Sequence, residues 1–143
     1  VGDMLAAWNS TGYKFFLLLH ILTAVVAFGP MFAVGALTRV GRTAELARLY
    51  LVVCLPSLVL TWVFGMGLVG MSDKLFTMSQ TWVVLAVIVW LIAVVVGAVL
   101  IRPALTDSSE EARKKLSAGI GVTHLCLIVL LYLMTFKPGG PNL

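Results

Sequence analysis

Charge is scarce in this sequence, and negative charge most of all: six acidic residues stand against ten basic ones in a chain of 143. None of the six lies within four apolar runs, residues 14–38, 49–71, 81–101 and 118–136, and no Lys or Arg lies in the interior of any run. Charged residues make up 11% of the chain, less than half of the roughly 25% usual in soluble domains, which excludes a soluble globular fold. Cysteine is rarer still. Cys54 and Cys126 both fall inside runs, with no Cys-x-x-Cys spacing and no charged neighbour to favour a thiolate, so they read as small buried apolar residues. A Glu-x-x-His metal pattern, a glycine-rich phosphate loop and a Ser-His-acid set are all missing. No catalytic residue and no metal-ligating set can be assigned, so the sequence does not read as an enzyme.

What is present is apolar length. A hydrocarbon core of about 30 Å is crossed by about 20 helical residues, and each run supplies that. Only helices or closed barrels satisfy the backbone in lipid. The expectation is a single all-α domain over residues 1–143, a four-helix transmembrane bundle running up-down-up-down. The first run is too long for a signal-peptide core and has no clear small-residue cleavage site after it, so it is expected to stay as a span. Arg39, Arg42, Arg48, Arg102, Arg113, Lys114 and Lys115 flank one side of the spans, and Lys14, Lys74 and Lys137 flank the other. By the positive-inside rule the first and third connections face the cytoplasm and both termini face outside. Clustering of the basic residues at span ends also argues against nucleic acid as a partner.

The connections carry helix signals. Gly41 ends the first helix, Thr77 with Gln80 and Ser108 with Glu111 match capping boxes, and Pro103 ends the third span. Glu110 with Lys114 and Glu111 with Lys115 are i,i+4 pairs in the favourable order. Small residues form stripes that suit close helix packing: Ser57, Thr61 and Gly65 in the second span, and Ala86, Ala93 and Gly97 in the third. Trp8, Trp62, Trp82, Tyr13 and Tyr132 fall near the outer interface as an aromatic belt.

Two histidines lie at membrane depth, where an ionisable side chain is a site hypothesis by default. His20 shares a face with Ala24, Ala27 and Met31; His124 shares one with Gly121, Ile128 and Thr135. Both faces contain small residues, so both rings are expected to point inward. Each histidine is either a neutral hydrogen-bonding group between helices or a ligand for haem, with proton or quinone chemistry as a further alternative. They do not suit one haem together, since at about 1.5 Å per residue His20 lies about 9 Å to the outer side of mid-span and His124 about 4 Å to the inner side. As haem candidates, His20 matches Met66 or Met134 in depth and His124 matches Met31; His/Met ligation is a known arrangement.

The segment Lys14-Phe15-Phe16-Leu17-Leu18-Leu19-His20-Ile21-Leu22-Thr23-Ala24 followed by Gly29, together with Trp82, Arg102-Pro103 and the ending Met134-Thr135-Phe136-Lys137-Pro138-Gly139, resembles a family of small four-span bacterial integral membrane proteins of unknown function. More distantly, the first span is similar to that of HemJ-type protoporphyrinogen oxidases and copper-resistance D proteins. On that resemblance His20 stands at the haem-ligand position, which implies haem b as a cofactor. The HemJ-type pattern also uses a Lys within its third span, and residues 81–101 contain none, so the enzymatic role lacks one of its residues. Two functional expectations follow for a multi-pass protein of the bacterial cytoplasmic membrane, surrounded by lipid. One is a non-catalytic accessory subunit packing against a larger energy-transducing membrane complex. The alternative is a b-type haem protein in electron transport that uses His20.

Overall fold

Unbroken runs of Leu, Val, Ala, Ile and Phe offer the backbone no hydrogen-bond partner but itself, and the helix is the local solution. The computed structural model describes residues 9–39 and 43–140, and four of its helices are long and apolar enough to cross a membrane: α1 (Thr11–Ala33), α2 (Ala44–Gly70), α3 (Thr81–Ala104) and α4 (Glu110–Phe136). A six-residue helix, Val34–Arg39, continues α1. No strand occurs among the described residues. Contacts between neighbouring helices run in opposite order along the chain: Phe16 and His20 lie against Gly67 and Gly65, and Tyr50 and Trp62 against Gly97 and Trp90. Ile101 lies against Gly119, and Phe32 stacks on His124. The architecture is the expected up-down-up-down four-helix bundle. Its upper end carries Ser10, the 71–80 connection and Lys137; its lower end carries Arg48 and the 105–109 connection.

The prolines bend the ladder without ending it. In α2 and α3 a π-turn precedes each proline, Tyr50–Cys54 ahead of Pro56 and Gly97–Ile101 ahead of Pro103. There the Leu55 N–H reaches Tyr50 O and the Arg102 N–H reaches Gly97 O. A proline has no N–H and its ring clashes with the carbonyl four residues back, so widening the preceding turn relieves the crowding. The third helix therefore runs past Pro103 to Ala104, beyond the limit at 101 expected from sequence. In α1 the opposite happens: Gly29–Ala33, with Pro30 inside it, tightens into a 3₁₀ turn.

Both capping boxes give way to other caps. Ser109, one residue later than expected, caps α4 by accepting the Ala112 N–H at 3.1 Å, because Asp107 already binds the Ser109 N–H at 2.8 Å and its hydroxyl at 2.9 Å. At the start of α3 Gln80 turns away from Thr77, donating to Leu75 O and accepting the Trp82 indole N–H, both at 2.9 Å. The two expected ion pairs on α4 are present. Trp82 and Tyr13, assigned to the lipid interface from sequence, are instead buried in the upper core, whereas Trp62 and Tyr132 face outward. Trp8 and the Gly41-Arg42 turn lie outside the described residues.

Packing divides the bundle. α1 and α2 form one close hairpin and α3 and α4 another, with Gly65, Gly67 and Gly119 letting side chains of the partner helix approach the backbone. At the lower end the hairpins meet in a core of Met31, Leu46, Tyr50, Cys54, Ile101 and Leu116. At the upper end Tyr13, Leu68, Phe76, Trp82, Val83 and Leu133 close them together. Between these two cores Ala27, Phe28 and Leu58 pack against Trp90, Val94, Leu127 and Leu130 of the other hairpin, and the rest of the space between the hairpins is left unfilled.

Candidate functional site

The space between the hairpins is a cavity of about 590 Å³. Phe28 of α1 and Trp90 of α3 border it toward the middle of the bundle, while Tyr13, Phe76 and Trp82 border it above. Exposed lining residues on α1, Ile21, Val25 and Phe32, and Leu131 and Thr135 on α4 make the cavity open sideways, toward the bilayer. Its walls are almost entirely hydrocarbon and aromatic. Pockets for small molecules and cofactors span roughly 300–1,000 Å³ and combine apolar walls with a few placed polar groups, and this one fits that description.

His20 is one of those polar groups. The helical face predicted from Ala24 and Ala27 does turn it inward, and the ring lies against Gly65, where a Cβ would come within 3.0 Å of His20 Cε1. The missing side chain lets the imidazole reach the backbone of α2, and His20 Nδ1 donates to Thr61 O at 2.8 Å. A carbonyl oxygen can only accept, so the proton of the neutral ring is on Nδ1. The nitrogen left with a lone pair is Nε2, and it has no hydrogen-bond partner among the described residues. Nearby hydroxyls do not compete for it: Thr23 bonds to Leu19 O and Thr61 to Ser57 O, each within its own helix. A histidine held by Nδ1–H on a carbonyl with Nε2 free is the arrangement in which imidazole ligates metals, because the outer hydrogen bond fixes tautomer and ring orientation.

The other expected haem residues divide into two groups. Met66 of α2 and Met134 of α4 line the same cavity as His20, so the structure brings these three together. His124 and Met31 are not brought together, contrary to the pairing expected from their depth. The 3₁₀ turn at Gly29–Ala33 rotates successive residues by more than an α-helix does, which leaves Met31 buried in the lower core and turns Phe32 toward α4. His124 stacks on Phe32 with ring centroids 4.2 Å apart, outside the lining of the cavity, and its Nε2 is buried without a partner.

Sequence reasoning missed two features of the site. Trp90 lies in mid-span, where its indole N–H requires an acceptor and finds Leu58 O at 3.0 Å; the ring stacks on Trp62 at 5.8 Å as part of the wall. Lys137 counted only as a topology signal, yet it also lines the cavity. An apolar cavity with a neutral imidazole and two thioethers can hold iron or a hydroxyl donor. Among the described residues no carboxylate lines it for acid–base work. No group of three or more His, Cys, Asp or Glu able to hold a bare metal ion occurs among the described residues. No protein-family model, curated protein or solved structure matches the chain, so its likeness to the families named above rests on the residues quoted for it.

Proposed function

We propose that this multi-pass membrane protein binds a b-type haem in the cavity between its hairpins, with His20 Nε2 as the iron ligand, and passes electrons within the membrane. The observation that carries the reading is the His20 ring itself, locked by its bond to Thr61 O, with the unprotonated nitrogen free of any hydrogen bond and the residue on the cavity wall. The residues present fit the group: the walls are apolar, the volume suits a cofactor, and Met66 and Met134 offer soft sulfur donors on the same cavity. When bound, haem would supply reversible one-electron redox chemistry. The protein's own part is to orient the imidazole, exclude water with Phe28, Trp82 and Trp90, and offer the thioethers of Met66 and Met134, donors of a type that would raise the potential. The resemblance of the first span to HemJ-type proteins adds support at His20.

The setting proposed is the bacterial cytoplasmic membrane with the basic lower end, Arg48, Arg102, Arg113, Lys114 and Lys115, in the cytoplasm, which puts the cavity in the outer half of the bilayer. Electrons then pass to or from a quinone or a neighbouring membrane subunit. Titration of purified protein with haemin, followed by dithionite reduction, tests the reading. Wild-type and His124→Ala protein are expected to give the same sharpened Soret band and split reduced bands, and His20→Ala to give only the spectrum of free haemin. Equal spectra from wild type and His20→Ala would sink the assignment.

A further inference from the structure

Among the described residues that line the cavity Lys137 alone is charged, and it stands at the upper end, where an occupant's polar head would emerge. It ends α4 in a left-handed backbone conformation, φ 44° and ψ 55°, with its N–H on Leu133 O at 3.0 Å and its carbonyl accepting the Gly140 N–H at 2.8 Å. Glycine is the residue that suits this position best, so a lysine there holds its place against a backbone preference. The turn brings the side chain back over the upper core: Nζ lies 5.8 Å from the centroid of Phe76, which packs edge-on against Trp82. Lys137 is half-buried, and no carboxylate pairs with it among the described residues. A cation held at the rim of an apolar cavity without a counter-charge is best balanced by an anionic group on whatever fills that cavity.

We propose that Lys137 is the subsite for a carboxylate carried by the cavity's occupant, so that the ligand class is an apolar molecule bearing an acid group, inserted with its hydrocarbon body toward His20 and Phe28 and its carboxylate toward the upper end. The inference rests on the reading that the cavity binds a ligand. It does not depend on that ligand being haem, because a haem propionate and the carboxylate of a membrane fatty acid present the same chemistry to Lys137. Trp82 and Trp90 line the cavity, so saturable quenching of tryptophan fluorescence reports its occupancy, whereas Trp62, which also faces outward, gives only the non-saturating quenching of contact from outside.

The test uses four probes on the full chain in detergent: haemin, haemin dimethyl ester, brominated oleate and its methyl ester, with wild type, Lys137→Gln, Lys137→Arg and His20→Ala. Wild type is expected to bind each acid roughly tenfold more tightly than its ester, as charge-assisted contacts allow. Lys137→Gln should erase that preference while keeping the ester's affinity, which shows the cavity intact, and Lys137→Arg should keep most of it. Acid and ester binding wild type alike, or Lys137→Gln weakening both alike, overturns the subsite. If haemin binds through His20 with no preference over its ester, the haem reading stands and this inference fails. If only oleate binds, and its preference over the ester depends on Lys137, this inference stands and the haem reading fails. If no probe quenches tryptophan saturably, both fail.

Discussion

Gly65→Ala is the smallest change that should separate site geometry from stability. A Cβ at that position would sit 3.0 Å from His20 Cε1 and 3.2 Å from Nδ1, inside the 3.4 Å at which ordinary contacts begin. The ring must retreat by about 0.4 Å or more, and it has one direction to go, away from α2. The bond from Nδ1 to Thr61 O then stretches from 2.8 Å toward the outer limit of a useful hydrogen bond. Interhelical hydrogen bonds in membranes contribute about 1 kcal/mol. Replacing a mid-helix glycine by alanine returns roughly 0.5–1 kcal/mol in backbone entropy. The two effects nearly cancel in stability, but only the first touches the ligand. Gly65→Ala should therefore unfold in mixed detergent and sodium dodecyl sulfate close to wild type, while its haemin affinity falls about fivefold, the equivalent of roughly 1 kcal/mol. Gly70, where a Cβ would meet nothing within 4 Å, supplies the control: Gly70→Ala should keep the wild-type haemin affinity while gaining up to about 1 kcal/mol in stability. Haemin affinity in Gly65→Ala equal to that of the control would refute the claim that the α2 backbone positions His20.

Three other outcomes are expected. A Cβ at Gly97 would overlap the Tyr50 hydroxyl in the lower core, where Tyr50 is 5% exposed, so Gly97→Ala should destabilise the bundle by about 1–3 kcal/mol in the same detergent assay; an unchanged midpoint would contradict that packing. The Ser109 N–H and hydroxyl both donate to the exposed carboxylate of Asp107 and hold its pKa below the usual value, so its stabilising contribution is present at neutral pH and is lost as pH falls through that lowered pKa. Protection factors in the first turn of α4, with exchange corrected for its intrinsic pH dependence, should fall at acid pH in wild type, and Asp107→Asn should flatten that fall; identical profiles would count against the cap. Reporter fusions after Asp107 and at Lys137 should read cytoplasmic and external, and a reversed pattern would overturn the orientation.

The spans could be read from sequence because uninterrupted apolar runs admit no other structure in lipid, and the inward turn of His20 could be read because Ala24 and Ala27 sit one and two turns along the same face. Local backbone adjustments were harder to read. A π-turn before Pro103 carries α3 onward, and the 3₁₀ turn at Pro30 separates Met31 from His124; both depend on how neighbouring helices accept the altered turn. The cavity itself leaves no mark in either hairpin's sequence, because it arises from the distance between them. Met66 and Met134 share it with His20 through that spacing. Lys137 is seen as part of the site only once the left-handed turn at the end of α4 brings its side chain back over Phe76.

The central claim is that His20 holds a haem in this chain as it exists in the membrane. The most direct measurement is the haem content per polypeptide, by pyridine haemochrome assay, of protein purified from cells supplied with a haem precursor, for wild type and His20→Ala side by side. The account predicts close to one haem b per chain in wild type and close to none in His20→Ala. A haem-free wild type under those conditions, or equal haem content in the two proteins, would contradict it.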